Sequence, residues 1–420
     1  MNGLRGCLLI VRRSLALHRL SSAVTVLSTA LASGLVMAVF VVSAQSYRAF
    51  AGGPVGFDAV LGARGSQLQL VLNTVFHLET SPGNIPYELY AELEQDPRIA
   101  LAVPYAVGDN YRGFRIVGTS TEIFTDFEYE EGRRFTPQAG GRAFDPVYRE
   151  AVLGATVAQR TGLAVGDTLQ PYHGLSTAES SKHEQVYTVV GVLEPTNTPS
   201  DRVIWIPIEG VWRMDGHQLR GTGEAFIPEA GSQIPDEHKE VSAVMLTFKS
   251  PQAGFMLNQT INRQGQVATL AWPIGTVMAD LFDKLGWVVR VLELVAYLVV
   301  VVAAGSILAS LYNTMNERRR EFAILRALGA RRSTVFGAIV LESSTIALLG
   351  SLLGFAIYAA ILGVAAWVVR ARTGVVLDAF SFHPVFLLAP AGMLAAGALA
   401  GLLPAFRAYS TDVADGLSSS

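Results

Sequence analysis

The chain has a single cysteine, four lysines and little charge, with 16% of its 420 residues being Asp, Glu, Lys or Arg. With Cys7 alone, no internal disulfide can form, so any large folded region must be held by its core. So little charge beside 50% hydrophobic residues and a mean hydropathy of +0.36 excludes an ordinary soluble protein. The phosphate-cradling G-x-x-x-x-G-K-[ST] loop is missing, and so are H-E-x-x-H, C-x-x-C and G-x-S-x-G. The residues therefore make no case for an enzyme or for a nucleotide held by this chain. No nucleic-acid partner is expected.

Long apolar runs are what the chain has instead. Four windows free of charge, Leu20–Tyr47, Leu294–Asn316, Ser343–Val369 and Ala379–Phe406, are each long enough for the roughly 20 helical residues that cross a bilayer core. Arginine placement orients them. Arg5, Arg12, Arg13 and Arg19 precede the first span, and Arg318, Arg319, Arg320, Arg326, Arg331 and Arg332 follow the second, so both segments and both termini are expected in the cytoplasm. Between Arg48 and Lys284 lie 18 basic and 28 acidic residues, a net charge of −10, and this segment belongs outside. Arg370 and Arg372 also fall outside, mildly against the rule, with Asp378 offsetting part of their charge.

The expected organisation is a cytoplasmic leader (1–19), a first span (20–46), an outer domain with stalk ends (47–287), a second span (288–314) and a cytoplasmic helix (315–333). A third span (334–369), a short outer loop (370–383), a fourth span (384–406) and a cytoplasmic tail (407–420) complete it. The apolar run before Val42, Ser43 and Ala44 is longer than a signal peptide's, so an uncleaved anchor is expected, and Cys7 has no apolar stretch before it that would mark a lipidation site. Within the outer segment, Tyr87–Gln95 reads as a helix stopped by Asp96 and Pro97. Strands are predicted at Arg112–Val117, Gln185–Leu193, Val203–Ile206 and Val241–Phe248. Two polar stretches, Pro171–Glu184 and Asp215–Lys239, read as excursions from the core.

The segment from Asn316 to Arg332, NERRREFAILRALGARR, is the most informative. Phe322, Leu325 and Leu328, with Ile324 beside them, recur at helical spacing, while Arg318, Arg319, Glu321 and Arg326 fill the other face. Glu317 and Glu321 sit near the start, where the helix dipole favours carboxylates, and Gly329 is placed to stop the helix. On composition alone an ordinary topology-fixing loop would serve as well. The order of residues says more. Glu317, Arg318, Glu321, Phe322, Ile324, Arg326, Ala327, Leu328, Gly329 and Ala330 reproduce an E-R-x-x-E-[IF]-x-[IL]-x-[RK]-A-[LI]-G-A pattern. In this the chain resembles the FtsX/MacB-like ABC transporter permeases (type VII, with lipoprotein-releasing and macrolide-export relatives), in which that pattern forms the helix coupling the permease to its ATPase. Glu150–Gln170 with Tyr187–Ile208 looks like the family's periplasmic core domain, with Gly154 leading into a helix and Gly166–Asp167 making a turn. Glu342, Gly350 and Gly354 match its third-span run, and Pro404, Ala405, Ala408, Asp412 and Leu417 its tail.

The resemblance implies an α-helical membrane protein with four transmembrane helices and a large mixed α/β extracytoplasmic domain, set in a bacterial inner membrane and surrounded by membrane lipid. It implies a separate cytoplasmic ABC ATPase carrying ATP and Mg, contacted by Glu317, Arg318, Arg320, Glu321, Phe322, Ile324, Leu325, Arg326, Ala327, Leu328 and Gly329. It further implies pairing with a second copy or a related permease, and a periplasmic adaptor or binding protein is a further candidate partner. The expected function is to transmit ATP-driven motion to the outer domain, exporting or extracting a substrate there. The alternative is a non-transporting mechanotransmission protein that activates a periplasmic partner, a cell-wall hydrolase or a binding protein.

Three further sets of residues are candidates. Glu342 lies inside the third span, where ionisable groups are costly, and is read as capping nearby arginines such as Arg331 or Arg332 rather than carrying protons. Arg290 and Glu293, one turn apart, are expected to pair. Gly350 with Gly354, and Gly397 with Gly401, form small-xxx-small faces that suit close helix packing within or between protomers, and Pro390 and Pro404 are placed to kink the fourth span. His173, His183, His217 and His238 are read as scattered outer-loop side chains with no metal site, and His77 as a hydrogen-bonded packing residue.

Overall fold

The computed structural model describes residues 3–51, 56–174, 181–222, 233–327, 329–378 and 381–410. Its elements are α1 (Gly3–Leu17), α2 (Arg19–Phe50), β1 (Ala59–Ala63), α3 (Gln67–Thr74), β2 (Ile85–Pro86), α4 (Tyr87–Glu94), β3 (Ile99–Tyr111) and β4 (Phe114–Thr119). There follow α5 (Glu122–Thr125), β5 (Glu150–Leu153), α6 (Ala155–Thr161), β6 (Thr168–Leu169), β7 (Tyr172–His173), β8 (Tyr187–Val192), β9 (Val203–Pro207) and α7 (Ile208–Trp212). The chain continues through β10 (Glu240–Val241), β11 (Ala243–Phe248), α8 (Pro251–Asn258), β12 (Ala268–Ala271), α9 (Ile274–Glu317), α10 (Arg319–Ala327), α11 (Arg332–Thr373) and α12 (Val385–Ser410). Two compact units result: a helical one of residues 1–46, 285–367 and 378–420, and an α/β one of residues 47–284 and 368–377.

In the α/β unit a mixed sheet runs in the order β12-β1-β11-β3-β4-β9-β5-β8-β6, with β7 paired to β3. Among the described residues, parallel pairing is confined to β4 with β9 and β5 with β8. Both faces of the sheet are buried, and the period-two alternation of strands sorts the side chains between them. On β9, Val203 and Trp205 enter one core with Val103, Tyr105, Val117 and Val152, while Ile204 and Ile206 enter another with Ile116, Leu153 and Tyr187. Aromatic rings knit the first core. Phe57 stacks on Phe127 at 3.9 Å, and Tyr105 and Phe135 meet Trp205 at 5.7 and 5.9 Å. Burial of this kind holds the domain without a disulfide. Gly154 precedes α6 where an added Cβ would lie 2.5 Å from the carbonyls of Ser200 and Asp201, so only glycine fits. Gly166 takes φ 98° in the turn into β6, where the Asp167 carboxylate accepts from the Ala164 amide at 2.8 Å.

His77 packs in this domain edge-on to Trp205 at 6.3 Å, but its buried Nδ1 has no hydrogen-bond partner among the described residues, so the expected hydrogen bond is missing there. Burial, followed by the charges of Arg115 and Arg202, lowers its pKa to about 3. The neutral ring is therefore kept in the fold while an unfolded chain would protonate it below about 6.5, so stability falls as pH drops from about 6.5 toward 3. We expect His77 to contribute at most about 1.4 kcal/mol per pH unit to that fall. His77→Asn, which tolerates the local φ of 54°, should flatten the slope in chemical denaturation between pH 6.5 and 4.5; an unchanged slope would remove His77 as its source.

Among the described residues, four helices are long and apolar enough to cross a membrane: Arg19–Phe50, Ile274–Met315, Arg332–Thr373 and Val385–Arg407. The most apolar window of α2 is 56% buried against 17–28% in the other three, so α2 is the enclosed helix and the others turn apolar side chains outward. Close packing rests on glycine. A Cβ at Gly350 or Gly354 of α11 would meet Thr29 or Ser33 of α2 at 2.5 or 2.9 Å, and one at Gly34 of α2 would meet the Gly354 carbonyl at 2.8 Å. A Cβ at Gly397 would stand 2.6 Å from the Ala347 methyl, and one at Gly401 would collide with the Ser343 hydroxyl, seating α12 on α11. All four predicted glycines thus pack helices within one protomer. Pro390 and Pro404 lie inside α12, whose helical hydrogen bonding continues past both.

Candidate functional site

α9 carries the chain from the last outer strand to Glu317, and at Arg318 the helix breaks before α10. The break is tight. The Arg318 amide still donates to the Thr314 carbonyl at 3.0 Å, and that of Phe322 to the Arg318 carbonyl at 3.1 Å. α10 is closed by a paired cap in which the Gly329 amide donates to Arg326 O and the Ala330 amide to Leu325 O, both at 3.0 Å, with Gly329 at φ 97°. Its apolar face is anchored: buried Phe322 packs with Val335 and Ile339 of α11 and Ala405 of α12, with Leu325 alongside. Glu317, Glu321, Ile324, Ala327 and Gly329 are exposed and Arg326 partly so. Leu328 and the Arg320 side chain, like Ala408, Asp412 and Leu417 of the tail pattern, lie outside the described residues.

Arg318 is the buried centre of this elbow. Its Nη1 donates to Ser14 Oγ of α1 at 2.7 Å and lies 3.7 Å from Glu342 Oε2, its Nε donates to Glu321 at 3.1 Å, and its guanidinium covers the Phe322 ring at 4.9 Å. Ser14 in turn donates to Glu342 Oε1 at 2.5 Å. The partner of Glu342 is therefore Arg318 through Ser14, in place of the Arg331 or Arg332 that the sequence suggested. The break in the helix turns Arg318 inward, whereas Arg331 and Arg332 are exposed. Beside it, His18 Nε2 approaches Glu317 at 3.2 Å. Arg290 and Glu293 are joined by no ion pair among the described residues; on this exposed stretch of α9 a single pair gains too little to immobilise both side chains.

In the α/β unit the two polar excursions converge. β7 pairs with β3 so that His173 stands opposite Asp109, an antiparallel bridge from Tyr172 to Lys182 places the His183 amide on the Pro171 carbonyl at 3.0 Å, and the turn after α7 delivers His217. Three imidazoles surround one carboxylate oxygen: Asp109 Oδ1 is 3.1 Å from His183 Nε2, 3.3 Å from His217 Nε2 and 3.5 Å from His173 Nδ1. The expectation of scattered solvent histidines fails for these three, while His238 instead faces the Arg220 carbonyl at 2.9 Å. Burial alone would raise the Asp109 carboxyl, but contacts from His173, His183 and His217 hold it well below the usual range. The hydrogen bond to Asp109 raises His173, and the same contact raises His183 against its own burial. Sequence spacing gives no hint of this cluster. Asp109 and Asn110, the adjacent buried polar pair near the end of β3, are what set the place of the cluster, and their strand setting is visible only in the fold.

Residues 22–261 match the family model of the MacB-like periplasmic core domain, and residues 293–413 that of the FtsX-like permease C-terminal region. Among solved structures the chain is similar to the periplasmic region of MacB from Actinobacillus actinomycetemcomitans, with 9% identity, a TM-score of 0.32, and 54% of this chain and 94% of that one covered. It is also similar to the extracellular domain of the noncanonic ABC-type transporter YknZ from Gram-positive bacteria, with 15% identity, a TM-score of 0.28, and 50% and 97% covered. No curated protein matches. With the core-domain model spanning more than half of the sequence and the permease model following it over the last three spans, the chain belongs to the FtsX/MacB-like ABC transporter permeases, membrane components of the bacterial inner membrane.

Proposed function

We propose that this permease takes motion from a separate cytoplasmic ATPase through α10 and passes it along α9 to its outer domain, which exports or extracts a substrate on the outer side. The observation that carries this reading is the construction of α10: one face locked by Phe322 into α11 and α12, the other presenting Glu321, Ile324 and Ala327. A short helix held this way cannot yield alone, so a push on its outer face moves the helices beneath it. α9, at 44 residues, is about 66 Å long, enough to cross the bilayer and continue well beyond it. In this reading α10 and both termini face the cytoplasm, ATP and Mg reside on the partner, and a second permease subunit and membrane lipid cover the outward apolar faces of α9 and α11. The four glycines are already used within the protomer, so that second subunit docks elsewhere.

Arg326→Glu reverses charge on the face offered to the ATPase while leaving Phe322 in place. Co-purification of the ATPase with the full-length chain is expected to fall at least tenfold, a loss of about 1.4 kcal/mol or more. Undiminished co-purification would remove α10 from the interface.

A further inference from the structure

We propose that Asp109, His173, His183 and His217 form a binding site for one Zn2+ ion. The inference is independent of how α10 is used. The four side chains each offer one ligand atom, and these atoms lie within 4.8 Å of one another. In a tetrahedral zinc site with bonds of about 2.0–2.1 Å, ligand atoms are separated by about 3.3 Å. The three distances from Asp109 Oδ1 to the imidazole nitrogens, 3.1, 3.3 and 3.5 Å, already bracket that edge. Closing the remaining nitrogen pairs takes at most about 1.5 Å of side-chain movement.

The second nitrogens settle which atoms face the centre. His217 Nδ1 lies 2.8 Å from the Val211 carbonyl and His183 Nδ1 2.8 Å from the Asp215 carbonyl. A carbonyl only accepts, so each Nδ1 carries the hydrogen, and in the neutral ring the Nε2 lone pair is left aimed at the Asp109 carboxylate. Two lone pairs facing a buried carboxylate oxygen repel it unless a proton on each ring or a metal cation lies between them, and one divalent ion in the middle satisfies all the donors at once. Fixing the tautomer through a carbonyl on the far side is how metal-binding histidines are held in register. Asp215 strengthens this outer layer, its carboxylate accepting from the Glu184 amide at 3.1 Å and standing 3.4 Å from His183 Nδ1.

Donor chemistry selects the ion. Three imidazoles and one carboxylate suit Zn2+, whereas Mg2+ and Ca2+ require an oxygen shell. Four protein donors close a tetrahedron, leaving no position for a water nucleophile, so the ion acts as a clip rather than a catalyst. It ties β7, the stretch around His183 and the turn after α7 to β3. Asp109 and His183 are almost fully enclosed, while His173 is half exposed and provides the route by which the ion enters.

The test uses the full-length chain, purified in detergent without a histidine tag, stripped with a chelator and titrated with Zn2+ against a chromophoric competitor. One Zn2+ per chain is expected, bound with submicromolar affinity at neutral pH. His217→Gln and His173→Ala should each weaken binding at least about 100-fold, and His238→Gln should leave it unchanged. Because His173 is exposed, its alanine variant is expected to fold, and circular dichroism checks that it does. Zn2+ should also raise the melting temperature of the wild type but not of His217→Gln. Binding weaker than about 1 μM, or equal binding by the folded His173→Ala variant, would overturn the site and leave a cluster held by protons alone.

Discussion

Arg318→Met will uncouple the elbow. The substitution keeps most of the side-chain volume but removes the guanidinium paired with buried Glu342, and leaves Ser14 Oγ bonded to the carboxylate alone among the described residues. Removing one member of a buried charge pair costs about 3–5 kcal/mol, because the other remains desolvated without compensation. The expected outcome is a markedly lower melting temperature for the purified permease and loss of stimulated ATP hydrolysis in the assembled complex. Arg318→Met with Glu342→Gln removes both charges and should recover most of the stability, since a paired deletion leaves no uncompensated ion. If the double variant is as unstable as the sum of the single ones, Arg318 and Glu342 do not act as a pair. Recovery of stability without recovery of stimulated hydrolysis would place the role of Arg318 in transmission rather than folding. Such an outcome fits its position, where α1, α10 and α11 meet.

What was legible in the sequence was what depends on local pattern. A charge-free run of 23 or more residues has few alternatives to a membrane helix, so the four spans could be read directly. α4 and β9 were marked by their own residues: Asp96 and Pro97 stop the helix, and Val203, Ile204, Trp205 and Ile206 form an uninterrupted β-favouring run. The longest strand, β3, was missed because Pro104 and Gly108 interrupt it, and both residues normally argue against a central strand. Long-range convergence was beyond reach. His217 and Asp109 are 108 positions apart, and nothing local in β7 or β3 records that these two strands pair. The Glu342 partner was misread for a related reason. Proximity along the chain favoured Arg331 and Arg332, while the helix break at Arg318 and the contribution of α1 exist only in three dimensions.

Gly350→Leu should prevent the helical unit from assembling, and the pattern of failure discriminates between two uses of the glycine faces. In the fold, a Cβ at position 350 would stand 2.5 Å from Thr29 Cβ and 3.0 Å from the Val26 carbonyl, and both are α2 groups held by its own hydrogen bonds. Relief requires α2 and α11 to separate, which also opens the contacts of Gly354 with Ser33 and of Gly34 with Ile357. Over-packing of a closely fitted contact costs about 1–3 kcal/mol per site, and here several sites part together. Gly363 supplies the comparison, since it lies on the same helix with nothing within 4 Å of its added Cβ. Gly363→Leu is therefore expected to purify and melt like the wild type, whereas Gly350→Leu gives aggregated or proteolysed protein. A Gly350→Leu chain that is fully folded yet monomeric would assign the glycine face to contact between two permeases and break the packing argument.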